Sequence, residues 1–141
     1  MNKQYCFEDD DSKKINYFLQ IKKFKKGNNC IFVPFKKNVG AKLYYFKSER
    51  NSSFFNQKHA HDLGMGPKVG DKFEIFFNDE ILYCYLTQIA GKISSAINID
   101  EVKKQYEDLK MDVSDLHFDN LGIIRKKIVV VDFDSDHFTI Y

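Results

Sequence analysis

The apolar residues of this chain are divided into short runs, and turn-forming residues close most of these runs. In the first half, the runs contain the β-branched and aromatic residues that favour strands. Candidate strands lie at Ile15–Ile21, Cys30–Phe35 and Ala41–Lys47. A turn rich in Lys, Gly and Asn, at residues 25–29, separates the first two of them. We therefore expect a sheet to form early in the sequence.

Two helices and two hairpins are expected further along the chain. The first helix is predicted at Ser52–Leu63, and Gly64 ends it. The second helix is predicted after Asn98, because Glu101 follows three residues later as in a capping box, and this helix ends near Met111. The hairpins are predicted from strands at Lys72–Phe77 and Ile81–Thr87, and at Leu121–Ile124 and Ile128–Phe133.

Composition excludes several classes of protein. The chain has 141 residues, of which 43% are hydrophobic and 30% are charged, so it is too apolar to be a disordered protein. No apolar run approaches the ~18–20 residues that a membrane-spanning helix requires. The three cysteines are far apart and form no CxxC pair, which argues against a disulfide framework and a zinc site. The polar start of the chain is not a signal peptide, so we expect a cytoplasmic protein without a membrane partner.

Charge is unevenly distributed along the chain. Residues 13–47 contain ten lysines and no acidic residue, whereas residues 98–141 contain ten acidic residues against six basic ones. The segment Lys22–Lys26, with Phe24 among its lysines, is either a solvated strand face and turn or a nucleic-acid surface. We do not expect a nucleic acid as a partner, although that hypothesis stays open. A third interpretation is a polyphosphate bound by the lysines, with a divalent cation on the acidic part.

Three oxygen-bearing side chains are expected to converge near the end of the chain. Asp115 and Asn120 lie on one loop, and Asp132 follows the buried strand of the hairpin that begins after Asn120. Because a hairpin returns its end beside its start, Asp132 is expected to lie near Asn120. Carboxylate and amide oxygens are the ligands that Mg²⁺ prefers in proteins. The sequence therefore predicts a magnesium site there.

These residues resemble the catalytic core of the protein-kinase superfamily. The family pattern is an Asp, four residues, an Asn, a hairpin and then Asp-Phe-Gly. Asp115 and Asn120 keep that offset, and Asp132-Phe133-Asp134 stands where Asp-Phe-Gly is expected. The form Asp-Leu-His-x-x-Asn is more similar to the aminoglycoside and choline kinase-like branches than to ordinary Ser/Thr kinases. The Lys-rich composition is typical of AT-rich genomes, such as those of viruses or phages.

The resemblance implies an α+β fold with a kinase-like N-lobe, in which a five-stranded antiparallel sheet carries one helix similar to the kinase αC helix. It implies domain boundaries of 1–12 for an N-terminal tail, 13–91 for the N-lobe and 92–141 for a strongly truncated C-lobe. The segment Tyr44-Tyr45-Phe46-Lys47 is similar to the V-A-I-K strand, which makes Lys47 the phosphate-binding lysine. Gly27 stands in the turn over the phosphates, and Gln88 and Ala90 stand in the hinge that receives the adenine.

Two functions remain open on this resemblance. The first is ATP- and Mg²⁺-dependent phosphotransfer to a protein or small hydroxyl acceptor, with Asp115 and Lys47 as catalytic residues and Asn120 and Asp132 as metal ligands. The second is an inactive pseudokinase that binds a protein partner or a second copy over its short C-lobe, with or without a nucleotide. The expected helix offers Ser53, Phe55, Asn56 or Gln57 where the family has a Glu, and the glycine-rich loop is missing.

Overall fold

The computed structural model describes residues 5–27, 29–94, 96–114 and 116–141 of the chain. Three α-helices are present in these residues: α1 (Asp9–Gln20), α2 (Lys47–Asp62) and α3 (Ile99–Asp108). The strands are β1 (Lys25–Lys26), β2 (Ile31–Lys36), β3 (Val39–Tyr44), β4 (Val69–Phe77), β5 (Glu80–Gln88), β6 (Met111–Val113), β7 (Leu121–Ile124), β8 (Lys127–Val130) and β9 (Phe138–Ile140). The fold is α+β, as the sequence predicts.

The residues divide into two compact units. Unit 1 consists of residues 1–51 and 69–89, and unit 2 consists of residues 52–68 and 90–141. Helix α2 therefore begins in unit 1 and continues in unit 2. The domain boundaries expected from the sequence, after residues 12 and 91, stay predictions.

Unit 1 is built on a five-stranded antiparallel sheet with the strand order β1-β2-β3-β5-β4. Strand β3 is central and pairs with β5 from Val39 opposite Gln88 to Tyr44 opposite Tyr83. The β4–β5 hairpin turns at Asn78-Asp79, where both residues have positive φ angles. A two-residue turn with this backbone matches the twist of the strands that it joins, so the predicted hairpin is confirmed.

Helix α1 corrects the strand predicted at Ile15–Ile21. The apolar residues of this segment fit both periods, since Ile15, Tyr17, Leu19 and Ile21 alternate while Ile15 and Leu19 also lie one helical turn apart. In the structure Ile15 and Leu19 are buried, whereas Tyr17 and Ile21 are exposed. Three aspartates in the first turn stabilise the helical alternative, because their charge complements the helix dipole.

The core of unit 1 lies between α1 and one face of the sheet. Ile15 and Leu19 of the helix meet the inward side chains of β2, β3, β4 and β5, among them Val33, Ala41 and Leu86. Lys36 and the fully buried Asp11 form an ion pair that joins β2 to the helix. Alternate residues of β3 therefore belong to this core, and those between them lie on the opposite face.

Helix α2 begins five residues earlier than predicted. Strand β3 ends at Tyr44, and the backbone N–H of Arg50 donates a helical hydrogen bond to the carbonyl of Phe46. The buried guanidinium of Arg50 also donates to the carbonyl oxygens of Phe73 and Cys84, at 3.4 and 3.1 Å. These contacts hold the first turn of α2 against the β4–β5 hairpin, so the segment after Tyr44 is helical instead of extended.

Unit 2 contains α3 and two short two-stranded sheets, β6–β9 and β7–β8. The predicted start of α3 is confirmed, because the side chain of Asn98 accepts a 3.2 Å hydrogen bond from the backbone N–H of Glu101. The β7–β8 hairpin turns at Arg125-Lys126, again with two positive φ angles, and it confirms the second predicted hairpin. The described helices include none that is long and apolar enough to cross a bilayer.

The buried hydroxyl of Tyr106 connects three parts of unit 2. It donates a short hydrogen bond to the carbonyl of Met65 and accepts one of 2.7 Å from the backbone N–H of Val130. The ring of Tyr106 packs edge-on against Phe138 of β9, with centroids 6.2 Å apart. One phenol thus links α3, the segment after α2 and strand β8.

Candidate functional site

The β7–β8 hairpin brings Asn120 and Asp132 to the same end of one sheet. Asn120 directly precedes β7, and the backbone N–H of Val131 donates a 2.9 Å hydrogen bond to its carbonyl oxygen. Asp132 is the next residue along the chain. The juxtaposition that the sequence predicts for Asn120 and Asp132 is therefore present at the level of the backbone.

The loop before β7 is shaped by a reciprocal pair of hydrogen bonds. The amide oxygen Oδ1 of Asn120 accepts from the backbone N–H of His117 at 3.1 Å, and Nδ1 of His117 accepts from the backbone N–H of Asp119 at 3.3 Å. Asn120 is buried, whereas the side chain of His117 is 48% exposed. His117 therefore shapes the loop and fixes the orientation of the Asn120 amide, as in a capping box.

Asp132 is oriented by a local turn. Its Oδ1 accepts a 3.2 Å hydrogen bond from the backbone N–H of Asp134, which is the geometry of an Asx turn. Its Oδ2 makes no hydrogen bond or ion pair with any residue that the structure describes. Phe133, between the two aspartates, is fully buried and packs against Phe138 with ring centroids 5.0 Å apart. The buried ring anchors the turn and leaves the half-buried Asp132 beside it.

Asp134 is a buried carboxylate that contacts helix α2. It is only 6% exposed, and its Oδ1 accepts a 3.1 Å hydrogen bond from the hydroxyl of Ser53 on α2. The neighbouring Asn56 donates to the carbonyl of Phe133 at 3.0 Å. Gln57, on the same helix, donates to the carbonyl of Pro67 at 3.0 Å. Ser53, Asn56 and Gln57 thus hold backbone and carboxylate groups of unit 2.

Asn120 and Asp132 have side-chain oxygens of the kind that Mg²⁺ prefers as ligands. The backbone hydrogen bond of Val131 brings the two residues to the same end of the hairpin, and the amide oxygen of Asn120 already accepts a hydrogen bond from His117. Asp115, the third predicted member of the site, lies outside the described residues. Among the described residues there is no group of three or more His, Cys, Asp or Glu side chains that could hold a metal ion. The described ligand set is therefore two residues, one amide and one carboxylate.

Lys47 does not stand at the end of a strand, so its match to the V-A-I-K strand is wrong. It is the first residue of α2, and it lines a shallow groove of about 380 Å³ on unit 1. The other lining residues are Glu74, Ile75, Phe76, Ile81 and Tyr83. The strand prediction fails here because two aromatic residues precede Lys47 and suggest a continued strand, whereas the Arg50 contacts favour a helix.

Lys42 is the lysine that the third strand carries, and it was not predicted from the sequence. The segment Val39-Gly40-Ala41-Lys42 has the order of small and apolar residues, followed by Lys, that the V-A-I-K pattern describes. This order of residues could have identified Lys42. The predicted strand ends at Lys47 instead of Tyr44, however, and therefore points to a lysine beyond the strand. Lys42 lies on β3, the central strand of the sheet.

The environment of Lys42 is unusual for a lysine. The residue is only 7% exposed, whereas most lysines lie at the surface. It lies on the sheet face opposite α1, because its neighbours Ala41 and Leu43 both belong to the core under that helix. Its Nζ is 5.8 Å from the ring centroid of Tyr85, which stacks on Tyr44 with centroids 6.1 Å apart.

Gly27, Gln88 and Ala90 are the three residues proposed to contact the nucleotide, and each has a different backbone environment. Gly27 follows β1, is exposed, and its N–H donates to the carbonyl of Cys30 at 2.8 Å. Gln88 is the last residue of β5. Ala90 follows two residues later, and its backbone N–H and C=O make no hydrogen bond within the described part of the chain. Gly91, next to it, is bound through both backbone groups to Ile123.

No protein-family model matches the chain, and no curated protein matches it either.

Proposed function

We propose that this chain is a kinase-like protein that binds ATP with Mg²⁺ and transfers the γ-phosphoryl group to a hydroxyl acceptor on a protein or small molecule. The observation that carries the proposal is the 2.9 Å hydrogen bond from the Val131 N–H to the Asn120 carbonyl. It brings an amide and a carboxylate to one end of a hairpin, in the order that the kinase pattern requires.

The order of the elements supports the same proposal. A lysine stands on the third strand of a five-stranded antiparallel sheet, and a helix joins the third strand to the fourth. The fifth strand leads into Ala90, whose backbone groups would be available to an adenine. The Asn–hairpin–Asp segment then follows helix α3. This is the sequence of parts that the resemblance implies.

Each residue is assigned a role from the needs of phosphoryl transfer, which are mainly positioning and neutralisation of charge. Asn120 and Asp132 are the proposed metal ligands, and the bound ion neutralises charge on the phosphates. Lys42, in place of Lys47, is the proposed phosphate-binding lysine. Asp115 accepts the proton of the acceptor hydroxyl as its oxygen bonds to the γ-phosphorus and ADP leaves.

A non-catalytic pseudokinase is the second candidate, and the buried face of α2 favours it. Kinases place a Glu on this helix to pair with the strand lysine. Here the buried polar residues in the part of the helix that belongs to unit 2 are Ser53, Asn56 and Gln57, and each is engaged with another part of that unit. A protein partner is the expected ligand of such a module. An open groove of about 620 Å³ on unit 2, whose lining mixes apolar residues such as Ile128 with charged residues such as Glu101 and Lys127, offers one surface for it.

Transfer of label from [γ-³²P]ATP to protein or water separates the two candidates. The proposed function predicts transfer by the wild type, loss in Asp115→Asn and Lys42→Met, and retention in Lys47→Met. If the wild type binds MgATP but transfers no label, the result would contradict the phosphotransferase and support the pseudokinase. Asp119→Asn is the matched control, because the Asp119 side chain is 93% exposed on the same loop. A melting curve of Lys42→Met verifies that this buried substitution leaves the protein folded.

A further inference from the structure

Six lysines of unit 1 lie on α1 and on the segment that leads from this helix into the sheet. This basic strip consists of Lys13, Lys14, Lys22, Lys23, Lys25 and Lys26, and all six are exposed. None of them forms an ion pair with a residue that the structure describes. Residues 12–48 contain no acidic side chain, and Asp9 and Asp10 lie one helical turn before Lys13 and Lys14. The four lysines that follow the helix have no acidic neighbour in the sequence, so the strip presents an excess of positive charge to solvent.

The helical state of α1 is what assembles the strip. Ile15 and Leu19 turn towards the core, so Lys13, Lys14 and Tyr17 are left on the outer side of the helix. A strand over the same residues, as predicted from the sequence, would have sent neighbouring lysines to opposite faces.

The lysines that follow α1 are tied to the end of the helix. The N–H of Lys23 donates a 2.9 Å hydrogen bond to the carbonyl of Phe18. Phe24 is half-buried and packs against the core of unit 1, so it anchors the chain between two pairs of lysines. Strand β1 then places Lys25 and Lys26 at the edge of the sheet. The positive charges are thus presented from ordered backbone.

An exposed aromatic ring lies among these charges. Tyr17 is 58% exposed, and its ring meets that of Phe18 edge-on with centroids 5.8 Å apart. Because Phe18 packs against the core, it supports the Tyr17 ring from below. Nucleic-acid bases stack on such rings in proteins that bind single strands, while lysines follow the phosphate backbone.

We propose that the basic strip and Tyr17 form a binding surface for single-stranded nucleic acid, which begins next to Gly27 but includes none of the residues proposed to bind the nucleotide and its metal. The lysines contact phosphates as point charges, and Tyr17 stacks on a base. Recognition is independent of sequence, because the strip contains no arginine to read guanine with a planar fork. Neither Lys42 nor Asp132 belongs to the strip, so the surface does not depend on the proposed ATP chemistry.

Two alternative roles of the basic strip, protection of a sheet edge and binding to a membrane, each explain only part of it. Lysines on an edge strand protect a sheet from pairing with another chain, which accounts for Lys25 and Lys26 but not for the remaining four. An amphipathic helix that binds a membrane needs a free apolar face. The apolar face of α1, formed by Ile15 and Leu19, is instead buried in the core of unit 1.

The test is the binding of a fluorescent oligo-dT or oligo-U strand, measured by anisotropy across a salt series. If about four phosphates are neutralised, the slope of log K against log salt is about −3, and affinity falls about 50-fold between about 50 and 200 mM salt. The variant Lys13→Gln/Lys14→Gln/Lys23→Gln/Lys25→Gln should lose this slope and weaken binding by more than about tenfold at the lower salt. Lys22 is left unchanged because its φ angle is positive.

A matched control changes the net charge equally on unit 2. The variant Lys92→Gln/Lys103→Gln/Lys104→Gln/Lys127→Gln should keep nearly all of the affinity, whereas equal losses in the two variants would show that only net charge matters and would overturn the proposal. Tyr17→Ala should weaken binding at least about fivefold, and Tyr17→Phe should not. Absence of binding at low salt, or binding to vesicles containing phosphatidylserine without binding to the oligonucleotide, would also overturn it.

Discussion

The ammonium group of Lys36 lies 2.8 Å from Oδ1 of Asp11, and the Asp11 side chain is completely buried. The other carboxylate oxygen accepts a 2.9 Å hydrogen bond from the backbone N–H of Glu8. Oδ1 has no other hydrogen-bond donor among the described residues, so Lys36 alone compensates it. This pair fastens the first turn of α1 to β2.

Replacement of Lys36 by Met should lower the free energy of unfolding by about 3–5 kcal/mol, because it leaves a buried carboxylate without its cation. Chemical denaturation measures this loss. The double variant Asp11→Leu/Lys36→Met should recover much of the stability, since it removes both charges. Lys37→Met is the control, because Lys37 is exposed in the next turn. Equal effects at positions 36 and 37 would contradict the role of the ion pair.

Replacement of Tyr106 by Phe should destabilise unit 2 by about 1–3 kcal/mol. The substitution keeps the ring but deprives the Met65 carbonyl and the Val130 N–H of their common partner. Thermal and denaturant unfolding report the loss. Tyr141→Phe, at an exposed ring, should change stability by less than about 0.5 kcal/mol. A neutral Tyr106→Phe would mean that neither hydrogen bond contributes to stability.

Alkaline pH should destabilise the protein through the same tyrosine. Burial raises the pKa of Tyr106 well above its ordinary value of 10.0. The unfolded chain therefore loses this proton at a lower pH than the folded protein does, so the stabilisation is complete below pH 10.0 and declines above it. The difference in unfolding free energy between the wild type and Tyr106→Phe, followed as pH rises through this range, should shrink. A constant difference would contradict the assignment.

Sequence patterns predicted the elements whose signals are local. The Asn98 cap, the Gly64 stop and the two hairpin turns depend on residues a few positions apart, and the structure confirms them. Gly64, for example, has a φ of 74° at the end of α2, a conformation that other residues adopt only at a cost.

The errors arose where a distant contact decides between two local alternatives. Residues 15–21 fit a strand and a helix equally by pattern, and burial of Ile15 and Leu19 against the sheet selects the helix. The start of α2 depends on Arg50 reaching carbonyls 23 and 34 residues away. Neither contact is visible in a short window of sequence. The sequence pattern therefore extends the third strand to Lys47, whereas the strand lysine of the structure is Lys42.

The candidate site was predicted only in part, because some of its contacts are local in the sequence and others are distant. The approach of Asn120 and Asp132 follows from the hairpin itself, because strands joined by a tight turn must return their ends to one place. The burial of Asp134 could not be predicted in that way. It depends on Ser53, which lies 81 residues earlier in the chain.

The proposed function depends on Asp132 binding the metal of an ATP complex, and the melting temperature with and without MgATP tests this binding. At a hundred times Kd, binding adds about 2.7 kcal/mol, which raises the melting temperature of a chain of this size by about 5–10 °C. We expect this rise in the wild type and in Asp119→Asn, and its loss in Asp132→Asn. An equal rise in Asp132→Asn, or none in the wild type, would contradict the proposed role of Asp132.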